Sequence, residues 1–209
     1  MKFNRFGYIP NLMPNHIIMR KYFLILVLAL MGVSASAQKV TSNERDEEGM
    51  RVIETGQRAF YADGHAHGCQ LTYMEKDGTG MYNILFIISD QLSRWSAKKG
   101  QIMLMKDSEG KVYEIPANGT SFSQLTRSTT YRSSVAYMIA LPYFLTEEQA
   151  EVLDKGLVKI RITYTYDDTG NEALLDIDIP SDLAAYLKKA KKNIDKTIPM
   201  PVTIDKSVF

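Results

Sequence analysis

The run Asp63-Gly64-His65-Ala66-His67-Gly68-Cys69 brings a carboxylate, two imidazoles and the chain's single cysteine into seven residues. All three side-chain types ligate zinc or copper. On a strand, His65 and His67 face the same side. A structural zinc site takes four ligands, and no second cluster of His or Cys exists to complete one, so only carboxylates remain. The competing expectation is a Gly-rich turn with exposed histidines and Cys69 buried as a small hydrophobe. Asp63, His65, His67 and Cys69 therefore stand as candidate metal ligands, and no resident cofactor is implied.

Other chemistry is sparser. Asp176 and Asp178 share one strand face and resemble a carboxylate pair, but strict alternation with Leu175, Ile177 and Ile179 explains them as a polar face opposite an apolar one. The sequence has no Gly-x-Ser-x-Gly elbow and no phosphate-binding glycine loop. Lys188, Lys189, Lys191, Lys192 and Lys196 crowd one segment and read as a solvated helix face near a C-terminus, where the helix dipole favours cations. Tyr73, Tyr82, Tyr113, Tyr131, Tyr137, Tyr143, Tyr164, Tyr166 and Tyr186 suit a surface for glycan or protein and suit a β-sheet equally well.

The elements that would position these groups follow a period of two. Strands are expected at Met50–Gly56, Gln57–Tyr61, Cys69–Lys76, Met81–Ser89, Gln101–Lys106, Lys111–Ile115, Val135–Leu141 (ended by Pro142), Leu157–Tyr166 and Ala173–Ile179. In Met81–Ser89, Tyr82, Ile84, Phe86 and Ile88 point one way and Met81, Leu85 and Ile87 the other, which predicts a central strand covered on both faces. Residues 116–132, rich in Ser, Thr and Asn, are the longest irregular stretch and the expected mobile loop. Thr146-Glu147-Glu148-Gln149 is a capping box, and Gly156 supplies the stop for a short helix. A second helix is expected from a Ser181 cap to about Lys196, with Leu183, Leu187, Ala190 and Ile194 as its apolar stripe. The fold class is mainly β: an antiparallel β-sandwich with one short helix before the last hairpin and a C-terminal helix.

Upstream of these elements lies an address. Arg20 and Lys21 precede the uncharged run Tyr22–Val33, and Ala35-Ser36-Ala37 precedes Gln38, the tripartite pattern of a secretory signal peptide. The organisation expected is an upstream start extension at 1–18, a signal peptide at 19–37, a mobile lead-in at 38–49, a single β-rich domain at 50–196 and an irregular tail at 197–209. The whole chain of 209 residues carries 25 basic and 24 acidic side chains. Lys2, Arg5, Arg20 and Lys21 leave with the first 37 residues, so the mature chain has 21 basic against 24 acidic residues. That balance gives no reason to expect nucleic-acid binding. One cysteine excludes a disulfide scaffold, and no transmembrane span is expected after signal cleavage.

Leu145-Thr146-Glu147-Glu148-Gln149, Gly156 and Lys159-Ile160-Arg161-Ile162, together with Trp95 and Lys99-Gly100 before the Ile102–Met105 strand, resemble segments of uncharacterised small exported β-rich proteins of Gram-negative bacteria. The resemblance implies export and a β-rich fold and brings no catalytic residues. The expectation that follows is a soluble protein of the periplasm or cell exterior: a non-catalytic binding or interaction module for a protein or glycan partner. An exported hydrolase with a scattered site and a metal-binding module at His65 and His67 are the alternatives.

Overall fold

A computed structural model describes residues 39–47, 49–90, 94–127 and 135–200. The expected start extension and signal peptide, and the tail beyond Met200, lie outside the described residues. Thirteen strands are described: β1 (Val40–Arg45), β2 (Arg51–Thr55), β3 (Arg58–Ala62), β4 (His65–Lys76), β5 (Thr79–Asp90), β6 (Trp95–Ala97), β7 (Ile102–Asp107), β8 (Val112–Pro116), β9 (Ser121–Phe122), β10 (Gln124–Arg127), β11 (Val135–Leu145), β12 (Leu157–Tyr166) and β13 (Glu172–Asp178). A short helix, Glu147–Lys155, precedes the β12–β13 hairpin, and a long helix, Ser181–Thr197, follows it.

The strands form two antiparallel sheets. The first runs β1-β2-β4-β5-β11-β10, with β3 beside β2 on the same flank of β4. The second runs β8-β7-β12-β6-β9, with β13 on the other flank of β12. Registers match the alternation in sequence. Across the first sheet Ile53 lies opposite Tyr73, Leu71 opposite Ile84, Cys69 opposite Phe86 and Phe86 opposite Leu141, all buried. Across the second, Met103 lies between Ile115 and Ile162, and Ile160 between Met105 and Ile177. These inner faces and the stripe Leu183, Tyr186, Leu187, Ala190 and Ile194 form one buried cluster. The mainly β sandwich with its two helices, as read from the sequence, is the architecture observed.

Two hairpins are closed by Asp-Gly pairs in which both central residues have positive φ, as a type I′ turn requires. They are Asp63-Gly64 between β3 and β4 and Asp77-Gly78 between β4 and β5. The capping box forms as read, with the Gln149 N–H donating to Thr146 Oγ1 and the Thr146 N–H to Gln149 Oε1, and Gly156 ends that helix at φ 95°.

Polar ties hold the long helix to the first sheet. The buried Arg51 guanidinium donates to the carbonyls of Thr197, Ile198 and Met200 at 2.6–3.0 Å, and its Nε–H to Asn43 Oδ1. It thereby satisfies carbonyls that a helix end leaves without partners. The Tyr186 hydroxyl donates to the Gly56 carbonyl. Asp195 accepts from the Tyr82 hydroxyl and pairs with Lys191, which also reaches Asp154 of the short helix at 3.0 Å.

Several expectations are corrected. The lead-in 38–49 contains a strand: β1 pairs with β2, and its polar residues are those of an edge strand with one wet side. Within 116–132, Ser121–Phe122 and Gln124–Arg127 are strands that pair with β6 and β11, while residues 128–132 lie outside the description. Pro142 does not end β11, which continues in register to Leu145. Because β10 reaches only to Met138, Pro142 lies along an unpaired flank where a missing N–H is tolerated. Ser181 is not the cap: Pro180 occupies that position without a side-chain bond, and its carbonyl accepts the Ala184 N–H. Lys191 does not belong to a solvated face, since it lies over the Tyr82 ring between two carboxylates.

Arg51→Ala should destabilise the protein by about 3–5 kcal/mol, because three helix-end carbonyls lose a buried, charged donor. Phe86→Ala should lower stability by about 3–5 kcal/mol through the cavity it leaves. Urea unfolding checks both, and a loss under about 1 kcal/mol for either would contradict the packing described.

Candidate functional site

The residues with most chemistry lie on β4. Asp63 is a turn residue at φ 51°, and its exposed carboxylate points to no cluster: among the described residues no three His, Cys, Asp or Glu side chains come together as a metal site. Gly68 keeps the strand regular, with Ala59 opposite on β3 and Ile87 opposite on β5, so His65, His67 and Cys69 share the inner face. A Cβ at Gly68 would lie 2.9 Å from Gln57 Nε2 and 3.2 Å from Ile87 Cδ1, so any larger residue would need both side chains to give way.

His67 is buried, not exposed as a turn reading would have it. Its ring lies 5.2 Å from Phe60 and 6.2 Å from His65. The Ser89 N–H donates to Nδ1 at 3.3 Å, so Nδ1 carries the lone pair and the proton sits on Nε2, facing the Ala62 carbonyl at 3.3 Å. Both ring nitrogens are therefore spoken for, and the lone pair a metal would need is already accepting. Burial pulls His67 below the usual histidine value, with smaller opposing contributions from Ala62 and Asp63. Burial pushes the Cys69 thiol far up, which removes the thiolate that metal binding or nucleophilic attack requires. The structure brings the three β4 side chains to one face, with His67 and Cys69 committed to the interior and His65 half-buried beside His67.

The paired aspartates are likewise engaged. Asp176 accepts from Arg161 Nε and Nη2 and from Lys159 Nζ at 2.5–2.9 Å, and these donors hold its carboxyl well below the usual carboxylate range. Asp178 is exposed, 3.9 Å from Lys159. These residues form a charged ladder on the outer face of the second sheet, joined by Lys106, opposite Lys159 on β7, and Glu114 on β8. Tyr73, Tyr82, Tyr113, Tyr143, Tyr164 and Tyr186 are all buried, so these tyrosines serve the core rather than a surface.

The outer face of the first sheet is of another kind. Cross-strand rows give it Val52, Met74 and Met81, then Thr72, Asn83 and Phe144, then Gln70, Leu85 and Pro142, then Gly68, Ile87 and Ala140, and Ser89 with Met138. Both helices place their apolar stripes with the inner-face residues of the sheets. Met81 is 39% exposed, Ala140 and Pro142 are exposed, and Val52, Met74, Leu85, Met138 and Phe144 are half-buried. Expected from its two apolar stripes to be covered on both faces, β5 is covered on one. Its inner face is covered, whereas on the outer face only Ile87 is buried. Among the described residues, the charge on this face lies at one corner, with Glu44 and Glu54 on β1 and β2 and Lys76 at the β4–β5 turn. Burial, with Glu44 nearby, pushes the Glu54 carboxyl up. The signal for this face was present in the sequence as the second apolar stripe of β5.

Against family models, curated proteins and solved structures the chain finds no match. No helix among the described residues is long and apolar enough to cross a membrane.

His67 sets a pH dependence. The unfolded chain takes up this proton near pH 6.5 and the folded chain only at lower pH. Between the two values the unfolded state holds more protons, so stability is full above about pH 6.5 and is lost as pH falls through the folded value. Glu54, shifted up, changes stability in the opposite sense. In urea unfolding from about pH 8 to about pH 5, His67→Gln should therefore show a shallower acid loss than the wild type. Equal slopes would mean that His67 is not buried neutral. Calorimetric titration of the wild type with zinc should show no stoichiometric, sub-micromolar site.

Proposed function

We propose that the protein is an exported, non-catalytic interaction module that docks a protein partner through the outer face of the first sheet. The observation that carries this reading is the group Met74, Met81, Leu85, Phe144, Pro142, Ala140 and Met138 on the outer surface of β4, β5 and β11, set among the uncharged polar residues Gln70, Thr72, Asn83 and Ser89. Contiguous exposed apolar surface rimmed by polar residues marks interaction sites. The outer face of the second sheet differs in bearing the Arg161, Lys159, Asp176 and Asp178 ladder between its exposed Val112 and Leu174.

Two features favour binding over hydrolysis. His67 and Cys69 are buried, and Asp176 is held by two cations, so these acid–base candidates are committed to structure. A protein partner is favoured over a glycan because sugar recognition uses several exposed aromatic rings, whereas the six tyrosines named above are inside and Tyr61, 69% exposed on β3, is the one large aromatic exposed on this face among the described residues. Export rests on the Arg20–Lys21, Tyr22–Val33 and Ala35-Ser36-Ala37 pattern.

Site-specific photo-crosslinking in the source cell tests the proposal. A photoreactive residue at Met81 or Ala140 should give a discrete protein adduct, and one at Leu174, 60% exposed on the second sheet, should not. No adduct at the first two positions, or equal adducts at all three, would contradict it.

A further inference from the structure

We infer that Asn118, in the bend between β8 and β9, is a modification site: in the folded protein the Gly119 main-chain nitrogen attacks its side-chain amide, ammonia leaves, and aspartate or isoaspartate replaces it. The inference is independent of the docking surface proposed above.

The first argument is sequence. Asn118-Gly119 is the one Asn-Gly step in the chain. The attack closes a small imide ring, so the nitrogen of the following residue must come up against the asparagine Cγ. A side chain on that residue obstructs the approach, whereas glycine has no Cβ and reaches backbone angles closed to other residues. The other described asparagines, Asn43, Asn83, Asn171 and Asn193, are followed by Glu44, Ile84, Glu172 and Ile194.

The second argument is place. Asn118 and Gly119 are exposed, and a Cβ added at Gly119 would meet nothing within 4 Å. The bend is tied on both sides. The Gly100 N–H donates to the Ala117 carbonyl at 2.8 Å, the Ala117 N–H to the Gln101 carbonyl at 2.9 Å, and the Lys99 N–H to Thr120 Oγ1 at 3.2 Å. Between these ties, among the described residues, no hydrogen bond holds the Gly119 N–H or the Asn118 side chain. Asn83 and Asn193 lie in β5 and the long helix, where regular main-chain bonding fixes the angles that cyclisation must change. Asp63-Gly64 and Asp77-Gly78 are held with positive φ in tight hairpins, and their carboxylates have no ammonia to lose.

The step balances without an oxidant or a cofactor. A base takes the Gly119 N–H proton as the N–Cγ bond forms. The Cγ–Nδ2 bond then breaks, and ammonia leaves with a proton. Water opens the imide at Cγ to give aspartate, or at the main-chain carbonyl carbon to give isoaspartate, which lengthens the main chain by a methylene. Either product adds a negative charge beside the exposed Lys98 and Lys99, whose turn is bonded to this bend. An exposed ion pair contributes little to stability. Neither the β7–β8 nor the β6–β9 ladder includes residues 118 and 119, so the modified protein keeps its fold.

Peptide mapping by mass spectrometry, on the purified folded protein incubated in heavy-oxygen water at neutral pH, tests the inference. The peptide containing Asn118 should exchange –NH₂ for –OH carrying heavy oxygen, and the whole protein should focus at a more acidic point. Conversion should quicken as pH rises, because the attacking nitrogen must lose its proton. Gly119→Ala, for which there is open space, and Asn118→Gln, whose longer side chain closes a larger and slower ring, should each lose most of the conversion. An unaltered circular dichroism spectrum and melting curve would show that both variants keep the fold.

An Asn118 that stays intact in the folded protein overturns the inference, whether or not it converts in the urea-unfolded chain. So does Gly119→Ala converting as fast as the wild type, or another asparagine converting first. Thr120 also makes Asn118 part of an Asn-x-Thr glycosylation pattern. A glycan on Asn118 in protein taken from the source cell would block the attack and overturn the inference as well.

Discussion

The pairing of β4 with β5 governs the first sheet, and a two-residue turn governs that pairing. Sliding a strand by one residue exchanges its faces, and in most sheets the exchange is punished because polar residues are driven into the core. Here the punishment is weak, because β5 offers Met81, Leu85 and Ile87 on one side and Tyr82, Ile84, Phe86 and Ile88 on the other. The register is set instead by Asp77-Gly78, whose paired positive φ angles fit a tight hairpin and place Lys76 opposite Thr79. Gly80 adds a second constraint. The Tyr73 ring lies where a side chain would be, and a Cβ at that glycine would stand 1.8 Å from the tyrosine oxygen.

The rest follows from that register. It sets Cys69 against Phe86 and Tyr73 against Tyr82, and it carries Ser89 to the position where its N–H meets His67. It turns Tyr82 towards Asp195 on the long helix, and Lys191 extends the tie to Asp154 on the short one. It also decides which stripe of β5 is left outside. The exposed apolar face and the buried histidine are two consequences of one turn, one on each side of the sheet.

Much of the fold was legible because alternation is a direct record of burial. The inner stripes of β4, β5, β7 and β12 and both helices could be read from residue type alone. Edge strands were not legible in the same way: β1 is polar because one of its flanks is wet, so it read as a lead-in. The site residues were harder for a related reason. The spacing of His65, His67 and Cys69 says that they share a face, but not that the face is the inner one or that the Ser89 N–H, 22 residues along the chain, takes the His67 lone pair. Asp63 had a local signal, since Asp-Gly between two β-rich runs marks a hairpin turn more directly than a ligand. Arg51 escaped notice because its partners are main-chain carbonyls nearly 150 residues away, which no side-chain pattern encodes.

The central claim is that the outer face of the first sheet is covered when the protein is at work. Hydroxyl-radical oxidation of methionine reads this directly, because Met74, Met81 and Met138 lie on that face, whereas Met200, 54% exposed, lies beyond the long helix. Labelling in the source cell should be compared with labelling of the purified protein at high dilution. The account predicts that Met74, Met81 and Met138 are protected in the cell while Met200 is oxidised equally in both. Equal oxidation of all four in the two settings would contradict it.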